Sequence, residues 1–231
     1  HKLVKSGTRL DMVHHRVGPV DQQKIDPLHP HKAQAVLDRG GDVHPSGVVI
    51  FDPCGTVPTD RRDDVTGAVV FAGIEGSRPV LVEIEALVAP SSLATPRRNV
   101  VGWDSSRLAM LTAVLEARCG VPLSGRDIFL NVAGGLKITE TAADLAVAAA
   151  LISSVTGRPA PKRSVFFGEV ALSAELRQVA QSDARLKEAA KLGFDNAVMP
   201  RPRKASAKHA EINLSQPQTM SDLIDIMGGM N

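Results

Sequence analysis

From residue 67 onward, apolar positions recur first with the spacing of strands and then with that of helices. GAVVFAGI (67–74) and PVLVEIEALVA (79–89) are β-branched, apolar runs separated by the turn-like EGSRP, which predicts a hairpin entering a sheet. DSSRLAMLTAVLEARCG (104–120) changes to the helical period. Leu108, Leu111 and Leu115 share a face, Asp104 or Ser105 can cap the start, and Gly120 can close the end. A strand, DIFLNVAG (127–134), and an alanine-rich helix in ETAADLAVAAALISSVTG (140–157) come next. Thr141 and Asp144 stand three apart at the start of that helix, which predicts a capping-box-like arrangement. SVFFGEVAL and LRQVA predict two further strands, ARLKEAAKLGF a short amphipathic helix, NAVMP a strand, and SDLIDIM a terminal helix capped by Ser221. Strands and helices that interleave around one core make this part α+β or mixed α/β.

The first 66 residues follow no such pattern. They hold six of the seven histidines and nine aspartates but no glutamate, whereas all nine glutamates fall later. Only KAQAVLDR and GVVIFD resemble a short helix and a strand, so this segment is expected to be weakly or irregularly structured. His14, His15, His29, His31 and His44 could be imagined as metal ligands, but neither their spacing nor a nearby cysteine pair supports a site. The chain therefore divides into a His-rich leader, 1–58, and a patterned domain, 59–231.

Composition narrows the function classes. At 231 residues with 43% hydrophobic content the chain can fill a core. A formal charge of +2 means that nucleic-acid binding would rest on clustered Lys and Arg and not on overall charge. Cys54 and Cys119 stand far apart, which fits a reducing, cytoplasmic setting and gives no disulfide framework or zinc knuckle. No apolar run reaches membrane-spanning length and no leader peptide opens the chain, so no membrane partner is expected. No G-x-x-x-x-G-K-[ST] occurs, and KSGTRLD has the wrong order to cradle a triphosphate.

GAVVFAGIEGSRPVLVEIEALVA, TPRRNVVGWDSSRLAMLTAVLEARCG, LNVAGG, AADLAVAAALISS, FGEVALSAELRQVA and RLKEAAKLGF, in this order, closely resemble the C-terminal domain of the RadA (Sms) family of bacterial DNA repair proteins. The likeness covers about residues 60–231. It implies a Lon-protease-like fold of the ribosomal-protein domain 2-like type. The family's full chain also carries a four-cysteine zinc finger and a RecA-like ATPase, so zinc, ATP and magnesium are expected only in those domains and no cofactor is expected here. Its KNRFG signature is missing from this chain, and residues 1–58 are read as a frame-displaced or divergent leader, or as an added tail. The resemblance further implies DNA recombination and the DNA damage response, branch migration by a hexameric ring, single-stranded or branched DNA as ligand, and the recombinase RecA as partner.

A Lon-type protease needs a serine and a neutral lysine that accepts its proton. Ungapped counting within the resemblance places the serine position on Ala142 and the lysine position on Asp183, with Lys187 one turn further on. Thr139, Thr141 and Ser182 could replace the hydroxyl, but each has an ordinary role as strand end, helix cap or turn residue. The expectation is a non-catalytic scaffold and DNA-contacting, oligomerisation domain. Its alternatives are an active Ser–Lys peptidase and a purely structural assembly domain. Arg97, Arg98 and Arg107 in a loop and first helical turn, Lys162 and Arg163 in APKRS, and Arg201, Arg203, Lys204 and Lys208 in RPRKASAKHA are candidates for phosphate or intersubunit contact. Arg107 could instead pair with Asp104 on its own helix. Gly134 and Gly135 read as a tight turn, Glu169 as a partner for a basic residue, and Trp103 as a packing residue.

Overall fold

The computed structural model of the chain describes residues 65–202 and 212–229. The leader 1–58 with its predicted helix, strand and histidines lies outside the described residues, as do Arg203, Lys204 and Lys208. The expected hairpin is present: β1 (Ala68–Glu75) and β2 (Arg78–Pro90) pair antiparallel from Ala68↔Glu85 to Glu75↔Arg78. Then follow β3 (Arg98–Val101), α1 (Ser105–Cys119), β4 (Arg126–Val132), α2 (Asp144–Thr156) and β5 (Ser164–Phe166). β6 (Glu169–Val170), β7 (Leu176–Arg177), α3 (Ser182–Lys191), β8 (Asn196–Val198), β9 (Asn213–Ser215) and α4 (Met220–Ile226) complete the described elements. The seven-stranded sheet has the order β3-β4-β2-β1-β5-β8-β9, and β6 and β7 form a separate ribbon. β2 alone runs against its neighbours; the other six strands point the same way.

The fold is mixed α/β, and its centre is α2. Every residue from Asp144 to Ser153 is buried. A helix that is apolar on all sides belongs inside a domain, and the run of alanines lets the strands approach it closely. α2 and α3 both pack on β1 and β2. Accordingly, Ala68–Ala72 of β1 are buried without alternation, whereas the far half of β2 alternates, with Ile84, Ala86 and Val88 inward and Glu85 and Leu87 outward. α1 contributes Leu108, Leu111 and Leu115 to the same core, is capped by Asp104 and ends on a left-handed Gly120. Trp103 is buried in the core.

Local patterns were read wrongly in five places. RNVV forms strand β3, so Arg98 begins a strand and does not lie in a loop; the four residues carry no alternation of their own and are ordered by parallel pairing with β4. SVFFGEVAL splits into β5 and β6, and LRQVA keeps only the two residues of β7. Thr219, not Ser221, caps α4. The capping box at Thr141 is not made. Thr141–Ala143 form a 3-10 turn, the Thr141 hydroxyl donates to Glu169, and the Asp144 carboxyl is drawn inward to an arginine and a backbone N–H. Charge-assisted bonds to a guanidinium outweigh a single local bond to a helix terminus.

Candidate functional site at the carboxyl ends of the strands

In open α/β sheets ligands bind beyond the carboxyl ends of parallel strands. Here that edge gathers the ends of β1, β3, β4, β5 and β8 and the 3-10 turn Thr141–Ala143 that leads into α2. Ala142 is 1% exposed. Its carbonyl accepts a 2.8 Å bond from Gly168 N–H, and the Gly168 carbonyl accepts from Leu145 N–H at 3.0 Å, so the segment after β5 clamps the start of α2 from both sides. Glycine is required for that approach: a Cβ at position 168 would meet Pro200 Cδ at 2.6 Å. Asp183 and Lys187 are both exposed on α3. The three alternative hydroxyls take ordinary roles or stand open: Thr141 bonds Glu169 at 3.0 Å, Ser182 donates to the Val179 carbonyl at 3.1 Å, and Thr139 is exposed.

Ion pairs surround the first turn of α2. Arg107 grips the Asp144 carboxylate with two N–H groups, Nε to Oδ1 at 2.8 Å and Nη2 to Oδ2, while Val170 N–H donates to Oδ2 at 3.1 Å. The Asp144 side chain has no exposed surface and that of Arg107 is 28% exposed. Burial pushes the Asp144 carboxyl above the usual carboxylate range, and the bonds from Arg107 and Val170 pull it only partly back. The bond to Asp144 in turn raises the Arg107 guanidinium. Arg107 therefore reaches across to α2 with its side chain, while only its backbone N–H bonds Asp104, at 2.8 Å. Arg185 pairs with Glu140 at 2.6 Å and lies over the Phe167 ring at 5.7 Å. Glu169 also meets Arg177, at 3.9 Å. Glu140, Asp144 and Glu169 are thus each held by an arginine. Among the described residues no three His, Cys, Asp or Glu side chains group as metal ligands.

The basic candidates do not form one patch. Arg97 and Arg98 precede and begin β3, and Lys162 and Arg163 precede β5, all at the amino ends of the strands. β4, β2 and β1 lie between those two strands, a separation of about 19 Å at the usual strand spacing. Arg107 and Arg201 stand at the opposite, carboxyl edge. Several of these guanidiniums serve loop carbonyls: Arg98 donates to Arg126 and Leu123, and Arg163 donates to Gly193 and pairs with Asp195 at 2.6 Å. Arg158, absent from the sequence-based candidates, does the same for Gly228 and Gly229 beyond α4. The Arg97 backbone N–H bonds Asp127 at 2.7 Å and holds that carboxyl below its usual range, while Arg97, Lys162 and Arg201 are all exposed. Glu140 and Arg185 also escaped the sequence reading. A usable signal existed for Arg185, which falls with Ala189 on the inward face of α3, where a charge must find a partner.

Comparison with known proteins bears on these residues. Over 165 residues the chain is 54% identical to DNA repair protein RadA of Brucella abortus (strain 2308), covering 71% of this chain and 35% of that protein. These matches support a RadA-type DNA repair protein over the stretch they share. RadA of Rickettsia bellii (strain RML369-C) is 52% identical over 154 residues, covering 66% of this chain and 34% of the relative. RadA of Pseudomonas aeruginosa is 47% identical over 176 residues, covering 72% and 39%. The chain spans about a third of the length of the RadA proteins it matches. A family model described as subunit ChlI of Mg-chelatase matches residues 104–203, the stretch from the cap of α1 past β8 that contains Arg107, Ala142, Asp144, Gly168 and Arg185. No helix among the described residues is long and apolar enough to cross a membrane.

Proposed function

We propose that residues 59–231 are a non-catalytic, Lon-like scaffold of a RadA-type DNA repair protein, which joins subunits into a ring and contacts DNA during recombination. The reading rests chiefly on position 142. An alanine stands where a Lon-type nucleophile would be, buried and clamped by Gly168, and the lysine position holds the exposed Asp183. In this reading the two positions keep neither the serine nor the lysine that a dyad requires. In this proposal ATP hydrolysis, with its magnesium, and the zinc finger belong to other parts of the family protein, and RecA and single-stranded or branched DNA are the partners in the cytoplasm.

DNA contact would fall to the exposed Arg97, Lys162 and Arg201, aided by the remaining donors of Arg98 and Arg163. Such contact is read through counterion release. Alanine substitution of each contacting residue should weaken binding to single-stranded and branched DNA equally across sequences and reduce the salt slope by about 1. Unchanged affinity and slope in all three variants would leave the assembly role without the DNA role. Peptidase activity is checked separately with casein: Ala142→Ser combined with Asp183→Lys is expected to yield no cleavage, and turnover by the unaltered chain would overturn the proposal.

A further inference from the structure

β1 has a complete partner along one side only. β2 pairs with it from Ala68 to Glu75, whereas β5 reaches only Val70 and Phe71. Beyond Phe71 the β5-side edge would present the Ala72 carbonyl and the Ile74 N–H, the acceptor and donor that an added strand would engage. Side chains take both. Arg185 Nη1 donates to the Ala72 carbonyl at 2.6 Å, and Ile74 N–H donates to Glu140 Oε1 at 2.7 Å. The two side chains are joined to each other, Nη2 to Oε2 at 2.6 Å and Nη1 to Oε1 at 3.2 Å. As a unit they supply one donor and one acceptor, as the backbone of a neighbouring strand would.

Other features hold the pair in place. Arg185 is 3% exposed and also donates through Nε to the Ala180 carbonyl at 3.2 Å. At Gly73, between the two bonded β1 residues, a Cβ would lie 2.6 Å from Phe71 Cε1 and 3.0 Å from Glu140 Oε1. The missing side chain is what lets the carboxylate come up to the strand.

We propose that the Glu140–Arg185 pair stands in for a strand residue and seals the open edge of β1 against pairing with the same edge of a second copy of this chain. An unpaired strand edge is a template for association, and proteins blunt such edges with charge. This inference concerns β1 alone and is independent of DNA binding.

The test uses the full chain with Glu140→Ala and Arg185→Met together, since removing both charges leaves no unpaired ion in the interior. Circular dichroism should show the fold retained. The Ile74 amide should exchange about tenfold faster or more, relative to that of Gly73, which points toward β2. Sedimentation should show concentration-dependent association beyond that of the unaltered chain at the same concentration, and adding Ile74→Pro, which removes the edge N–H, should abolish the excess. Ile74 exchange that changes no more than that of Gly73 overturns the proposal, as does a variant that associates no more than the unaltered chain or an added association that survives the proline. If the double variant does not fold, Glu140→Ala alone is measured in the same way and judged by the same outcomes.

Discussion

At the residue scale, the Arg107–Asp144 pair sets an asymmetric sensitivity. Removing Arg107 leaves a carboxylate with no exposed surface and no counterion, whereas removing the Asp144 charge leaves an arginine that still reaches water. Arg107→Ala should therefore cost about 3 kcal/mol in urea unfolding, and Asp144→Asn about 1 kcal/mol. The pH dependence follows from the raised Asp144 value. Between the ordinary carboxylate pKa and the raised one, the folded chain holds a proton that the unfolded chain has released. The contribution of this group is thus fully present below the unfolded value and is lost as pH rises through the folded value. Asp144→Asn should flatten that limb of the stability profile. Arg107→Ala should extend it to higher pH, because the bond that lowers the carboxyl is gone.

At the scale of elements, α2 and α4 are held at their starts by different means. α4 carries its own capping box: Thr219 accepts from Asp222 N–H, and the Asp222 carboxylate accepts from Thr219 N–H at 2.9 Å and Gln218 N–H at 2.8 Å. Those backbone bonds hold the Asp222 carboxyl below its usual range. Its contribution is present above the unfolded value and is lost as pH falls through the depressed one. The protection of the Leu223 and Ile224 amides, measured against the intrinsic exchange rate at each pH, should therefore fall under acid, and Asp222→Asn should remove that dependence. Thr219→Ala should cost about 1 kcal/mol. α2 has no side-chain cap and depends instead on Gly168. Gly168→Ala pushes a methyl into the Pro200 ring and should cost about 1–3 kcal/mol by thermal unfolding.

For the whole molecule, the sheet separates its charges into two edges. The Arg107–Asp144 and Glu140–Arg185 pairs lie at the carboxyl ends of the strands, while Arg97, Arg98, Lys162 and Arg163, the last paired with Asp195, lie at the amino ends on two well-separated strands. Arg97→Ala and Lys162→Ala should therefore combine additively, within about 0.5 kcal/mol, in DNA affinity measured at fixed salt. Much of this architecture was legible beforehand. The hairpin, α1 and α2 depend on period, which the chain displays locally. β3 was not legible, because four residues without alternation acquire their order from β4. The partners of Asp144, Glu140 and Arg185 were not legible either. The bond from Arg185 to the Ala72 carbonyl joins residues 113 apart, and no local rhythm encodes a meeting at that distance. The sequence by itself determined the hairpin, α1 and α2, and that position 142 bears no hydroxyl. Only the tertiary structure decided which charges meet and which strand edge they close, because burial makes an ion seek its counterion wherever the chain brings one within reach.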